Sequence, residues 1–261
     1  MEIFTYTLVS LFIYMNISFV ISLIRRDNCT ADIFYGGGFI VIALITYFLT
    51  SYKPLSFILM LLIFVWGIRL AVRIAFRNHG KPEDYRYKKY RNEWGKFFIP
   101  RSYLQIYLLQ GFVIYLVSFP IIFLGIFGSF LYFLPLLILA IILWTIGFLF
   151  ESIADLELDK FIKNPNNKGR LLTSGLWRYS RHPNYFGESL MWWAIAIFTI
   201  GGIYYTFGLR SLIVLISPVL ITYTLLKYSG VPMLEKKAQE KHGWVDYKSK
   251  TNMFFPWFPK K

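Results

Sequence analysis

Cysteine is almost absent from this chain: Cys29 stands alone in 261 residues, so no intrachain disulfide, CxxC redox pair or thiolate metal cage can form. Histidine is nearly as scarce. His79, His182 and His242 lie far apart and no HExxH occurs, so ligand spacing points to no metal. Neither GxGxxG nor GxxxxGK[ST] is present, which excludes a Rossmann turn or a P-loop as the means of holding a nucleotide. Acidic residues number 14 against 28 Lys and Arg, giving a formal charge of +14. Charge of either sign is missing from Ser102 to Phe150, a run of 49 residues. As a helix that run is about twice what a ~30 Å hydrocarbon core requires, so it must fold back once.

Apolar sequence fills the space left by charge. Hydrophobic residues make up 56% of the chain and aromatics 20%, with 16% charged, where a soluble domain carries about 25%. Further charge-free stretches cover 3–24, 33–52, 54–68, 189–209 and 211–226. Backbone groups in lipid must be satisfied internally, so the expected class is all-α, a multi-pass integral membrane protein. Seven spans are expected, at 3–24, 32–50, 54–76, 103–124, 130–151, 184–201 and 209–227. Gly125, Gly128 and Ser129 are expected to turn the long run, and Gly201 and Gly202 to separate the last two spans. No Lys or Arg precedes Arg25 and no small-residue cleavage site follows the first apolar run, so that segment is read as a retained span. With no fixed-period repeat or low-complexity tract, residues 1–261 read as a single membrane domain.

Seven spans make the connections alternate in side, and 24 of the 28 Lys and Arg then fall on one side, leaving only Lys53 and Arg210 in the opposite loops. The positive-inside rule places the N-terminus outside and the C-terminus in the cytosol. The longer connections, 77–102 and 152–183, and the tail from 228 share that cytosolic side, where a cofactor-binding face is expected. Nucleic acid is a poor partner for this charge, because the basic residues sit within reach of the bilayer and no nucleic-acid module surrounds them; membrane lipids fit it better.

Polar residues near the spans are the candidate chemistry. Glu151, Asp155 and Asp159 recur every four residues and so share one helix face leaving the membrane. Glu157 and Asp159 read as a solvated helix end, whereas Glu151, at hydrocarbon depth, calls for a buried functional partner. The turn NPNNKGR, 164–170, leads to SGLWRYSRHPNYFGE, Ser174–Glu188. Pro183 suits the first turn of a helix, on which Asn184 and Glu188 share a face with Tyr185 beside them. Arg178, Arg181 and His182 flank that helix start, which suits an anion. Trp177 and Tyr179 fit headgroup anchors. Arg69 and Arg73 either snorkel to the surface or await an anionic group. In the second span Asp32 and Tyr35 bring an acid and a phenol within one turn, followed by Gly36, Gly37 and Gly38, which permit close approach of a helix or ligand. A carboxyl close to hydrocarbon is favoured in its neutral, proton-donating form.

The segments GFLFESIADLELDKF, GLWRYSRHPNYFGESLMWW, FRNHGKPEDYRY and LLKYSGVPMLEKK together resemble the steroid 5-alpha-reductase superfamily, specifically its bacterial branch, from about Asp32 onward. Isoprenylcysteine and phospholipid methyltransferases carry a similar Arg-His-Pro with a following Tyr; the Glu-x-x-x-Asp pattern and the asparagine of HPNY are closer to the reductases. The resemblance implies a seven-helix membrane fold in which NADPH enters from the cytosol and reduces a carbon-carbon double bond conjugated to a ketone in a lipidic substrate drawn from the bilayer. It implies cofactor contacts at Lys81, Glu151, Asp155, Arg170, Asn184 and Glu188, to which Arg181, His182 and Tyr185 of the same block are joined. Asp32 falls where the steroid reductases keep the acid that holds the substrate ketone, and with Tyr35 it is the expected catalytic pair. Two positions depart from the steroid enzymes: Glu151 stands for an asparagine and Gly67, beside Trp66, for a tyrosine. The open alternatives are an S-adenosylmethionine-dependent methyltransferase of a prenyl or phospholipid substrate and a non-catalytic lipid-binding protein.

Overall fold

The computed structural model describes residues 2–50, 53–228 and 230–260, and no strand occurs among them. The helices are α1 (Glu2–Arg25), α2 (Cys29–Leu49), α3 (Pro54–Asn78), α4 (Tyr85–Trp94), α5 (Phe98–Ser102), α6 (Leu109–Val117), α7 (Phe119–Phe127), α8 (Leu134–Lys163), α9 (Pro183–Phe207), α10 (Ile216–Tyr223), α11 (Val231–Ala238) and α12 (Trp244–Lys250). Prolines open α3, α8 and α9 in their first turns, where a missing N–H costs nothing. Several hydroxyls along the apolar helices are satisfied by the local backbone: Thr7 donates to Ile3 O (2.8 Å), Ser118 to Ile114 O (2.8 Å) and Thr145 to Ile141 O (2.8 Å).

Among the described residues five helical runs are long and apolar enough to cross a membrane: α1, α2, α3, α8 and the run that starts at Pro183, whose apolar part ends near Lys227. The pair Tyr85–Val117 and Phe119–Phe127, bent by 42° at Ser118, makes a sixth. Seven straight spans were expected, and two features account for the difference. The fourth expected span is broken by a π-helical stretch at Tyr103–Leu108 and by the Ser118–Pro120 bend. The turn expected at Gly201–Gly202 is instead helical, and α9 ends only at Phe207, before Gly208 at φ 57°. Gly202 serves packing there, since a Cβ would lie 2.5 Å from Leu124 Cδ1. The other expected turn holds: α7 stops at Phe127, and 128–133 are not helical.

Contacts divide the chain into two compact units, Met1–Tyr132 with Gly202–Val214, and Phe133–Gly201 with Leu215–Lys261. In the first, α2 and α3 meet backbone to backbone, because a Cβ on Gly36 would lie 2.7 Å from Gly67 O and one on Gly67 2.8 Å from Gly36 O. Gly37 makes room for the Tyr14 hydroxyl, which donates to Phe34 O (3.0 Å), and Gly38 for Ile114 and Leu11. The three glycines therefore accommodate neighbouring helices. Lys53 Nζ donates to Gly125 O (2.8 Å) and Ile126 O (3.2 Å), a cation placed on the carbonyl end of α7. In the second unit α8 and α9 cross at Gly147 and Gly187: a Cβ on Gly187 would lie 2.5 Å from both Glu151 N and Gly147 O.

Candidate functional site

That crossing builds the polar cluster of the second unit. Gly187 presses α9 onto α8 beside Glu151, and Asn184 and Glu188 lie within one turn on either side of it. Glu151, Asp155 and Glu188 are 3%, 2% and 8% exposed. Asn184 Nδ2 donates to Asp155 Oδ1 (3.2 Å) across the two helices. The carboxylate fixes the amide orientation, because a flipped side chain would set oxygen against oxygen. Asn184 Oδ1 is consequently buried, and it meets no hydrogen-bond partner among the described residues. An acceptor in that position lacks only a donor, and leaving it unmet costs roughly 1–3 kcal/mol.

The turn before α9 is held from the C-terminal side. Ser180 Oγ donates to Phe254 O (2.8 Å), and Arg181 N donates to Asn252 O (2.8 Å). Arg181 itself is buried: Nε donates to Glu235 (2.8 Å), and Nη1 donates to Thr251 O (2.5 Å) and Lys248 O (3.1 Å). The guanidinium also lies over Trp244, 5.6 Å from its ring. These contacts make Arg181 a clasp between the turn, α11 and α12. His182 stacks on Tyr185 with ring centroids 5.7 Å apart, and its Nε2 lies 3.4 Å from Glu235 Oε1, an ion pair whenever the ring is protonated. On α11, beyond the apolar run, burial pushes the Glu235 carboxyl up, but the nearby His182 ring and the hydrogen bond and charge of Arg181 outweigh it and bring the carboxyl down to about 2.

Exposed cations follow this cluster along the chain in the same unit. Lys160, Lys163, Lys168, Arg170 and Arg178 line the end of α8 and the loop that follows, all exposed. Arg170 offers its carbonyl to Lys241 Nζ (3.0 Å) while its side chain stays outward. Glu157 is a loop anchor, accepting from Leu176 N (3.0 Å) beside Gly175, rather than part of a solvated helix end. Trp177 is likewise not a headgroup anchor: it is 8% exposed, and its indole N–H donates to Ala154 O (3.1 Å). A cavity of about 510 Å³ in this unit is lined by Gln239, Lys241, His242, Trp244 and Asp246 among others, and by none of the cluster residues.

Asp32, Tyr35 and Lys81 lie in the first unit. Asp32 accepts from Arg86 Nη2 (2.7 Å) and from the Tyr87 hydroxyl (2.8 Å), while Arg86 Nε also holds Asp84 (3.0 Å). Asp32 is thus engaged by two donors of α4. Glu83 extends the network, accepting from Arg91 Nη2 (3.0 Å) and Asn28 N (2.9 Å), so that α4 is pinned to the start of α2. The Tyr35 ring stands edge-on to Phe39 (5.3 Å) and Trp66 (6.3 Å). Lys81 is exposed in the connection after α3.

Arg86, Tyr87, Gly187 and Glu235 escaped the sequence reading. A signal was present for the first two, since the acids Glu83 and Asp84 precede a basic, aromatic stretch that otherwise reads as a membrane-surface segment. Glu235 gave none, standing in a lysine-rich tail.

A family described as "Protein of unknown function (DUF1295)" matches residues 18–251. The chain belongs to the DUF1295 family. That family is related to steroid 5-alpha-reductase-like membrane proteins. A stretch of 70 residues of this DUF1295 chain is 34% identical to the "Probable O-methyltransferase ustE" of Ustilaginoidea virens, covering 27% of the chain and 25% of that relative. The chain thus spans about a quarter of the length of the curated relative it matches. No solved structure matches it.

Proposed function

We propose that this DUF1295 protein is an NADPH-dependent membrane reductase that saturates a carbon-carbon double bond conjugated to a ketone in a lipid-soluble substrate. The observation that carries this reading is the buried Asn184 Oδ1, an acceptor without a donor, set among Glu151, Asp155 and Glu188. The residues fit the cofactor's chemistry. Its carboxamide and ribose hydroxyls are donors suited to buried acceptors, and its phosphates suit the exposed Lys160, Lys163, Lys168, Arg170 and Arg178. NADPH, when bound, supplies the hydride. Asn184 Oδ1 would accept from the carboxamide, while Asp155 keeps the Asn184 side chain turned toward it. Arg181, engaged on three sides within the chain, would act as a positioning residue for the turn. At the start of α2, Asp32 would position Arg86 and Tyr87. The same reading puts the cofactor face on the cytosolic side.

A second reading, methyl transfer from S-adenosylmethionine, rests on the printed name of the O-methyltransferase relative, which matches over 70 residues. Five exposed cations in the same unit suit it less well, because that cofactor carries no phosphate. Thermal unfolding of the purified chain in detergent separates the two, since a ligand that binds only the native state raises the melting temperature. NADPH is expected to raise it and S-adenosylmethionine to leave it unchanged. A rise with S-adenosylmethionine alone would replace the reductase by the methyltransferase, and no rise with either would leave a lipid-binding protein.

A further inference from the structure

Residues 254–259 read Phe-Phe-Pro-Trp-Phe-Pro, and three of the aromatics are turned outward: Phe255, Trp257 and Phe258 are 70%, 68% and 74% exposed. A loose tail would also expose its aromatics, but this one is tied down. Trp257 N donates to Tyr179 O (3.0 Å), and Lys260 N donates to Lys250 O (2.9 Å). Phe254 is buried, and its carbonyl takes the Ser180 hydroxyl (2.8 Å). The Phe258 ring meets Tyr179 edge-on at 6.0 Å. The exposed rings are thus presented by a backbone already ordered.

Their depth can be read from what they touch. Phe254 and Phe255 each lie 5.9 Å from Phe186, in the first turn of α9. Phe186 lies 5.4 Å from Phe150, the last residue of the charge-free run before Glu151. The segment therefore sits at the level where α8 and α9 pass from apolar to charged sequence. Exposed Lys248, Lys250, Lys260 and Arg178 accompany it. Aromatic rings with lysines beside them at that level match the boundary between acyl chains and headgroups, where aromatic side chains are enriched.

We propose that residues 254–259 form an interfacial membrane anchor, with Phe255, Trp257 and Phe258 inserted at the headgroup boundary of the bilayer. Because Ser180 and Arg181 are hydrogen-bonded to residues 252–254 of the same segment, the anchor sets the depth of the Arg181–His182 turn. The inference does not depend on which cofactor the neighbouring cluster holds. It is tested with the full chain in phosphatidylcholine–phosphatidylglycerol nanodiscs, carrying Phe258→Cys or Trp257→Cys labelled with the environment-sensitive fluorophore NBD. Cys29 is buried, and the wild-type chain serves as its labelling control. Blue-shifted emission, and loss of most of it when the lipids carry a nitroxide near the headgroup, is the expected result at both positions. Emission characteristic of water, quenched only by a soluble nitroxide, would overturn the anchor and mark the aromatics as a surface for an aqueous partner. Both substitutions fall on exposed side chains, so a fault at one position leaves the other to decide.

Discussion

At the residue scale, the second unit turns on how a few polar atoms are paired. Glu235 lies where the buried Arg181 guanidinium and the His182 ring converge, and its proton affinity records that. A carboxyl ordinarily near 4.5 is brought to about 2 in the folded chain, so the folded state binds fewer protons than the unfolded one between those values. Its stabilising contribution is complete above the higher value and is lost as pH falls toward the lower. Unfolding of the wild-type chain in detergent, followed from pH 6 to pH 2 with Glu235→Gln as the comparison, should show on the order of 2 kcal/mol of that acid-sensitive stability missing from the variant. Equal pH slopes would mean that the Arg181–Glu235 contact carries no weight. Arg181 also shows how far a local pattern can be read. Its place next to His-Pro was visible in the sequence, but its bonds run to Glu235, Lys248 and Thr251, more than fifty positions away, and no spacing rule reaches that distance.

At the scale of elements, close helix approach decides which polar groups meet. Gly187 has no room for a methyl group, because the backbone of α8 stands 2.5 Å from where its Cβ would be. Gly187→Ala should therefore destabilise the chain by roughly 1–3 kcal/mol and weaken cofactor binding together with stability, read by thermal unfolding with and without ligand. Unchanged stability would mean that α8 and α9 are not packed backbone to backbone. The first three spans were legible because uninterrupted apolar runs end in charges or proline, and α1, α2 and α3 begin and end within a few residues of the expected limits. The Gly201–Gly202 turn was misread because glycine marks both a turn and a close packing site, and only the neighbouring Leu124 tells the two apart. Asp32 was visible in the sequence, but its partners Arg86 and Tyr87, brought in by α4 from more than fifty positions away, were not.

At the scale of the whole molecule, five or six apolar helices carry a chain whose basic residues collect in a few connections. With the cluster on the cytosolic side, as proposed, the C-terminal segment hydrogen-bonded to its turn is cytosolic too, so a fluorescent protein fused after Lys261 should glow in cells and a phosphatase fused there should stay inactive. The reverse pattern would put the cluster on the wrong side for a cytosolic dinucleotide. The central claim is that Asn184 and its acidic neighbours hold NADPH, and it is tested most directly by titrating NADPH into the purified chain and reading energy transfer from the protein's tryptophans. The account predicts saturable binding that Asn184→Ala weakens by about tenfold, the value of one buried hydrogen bond. Saturable binding of equal affinity in the variant, or no binding in the wild-type chain, would contradict it.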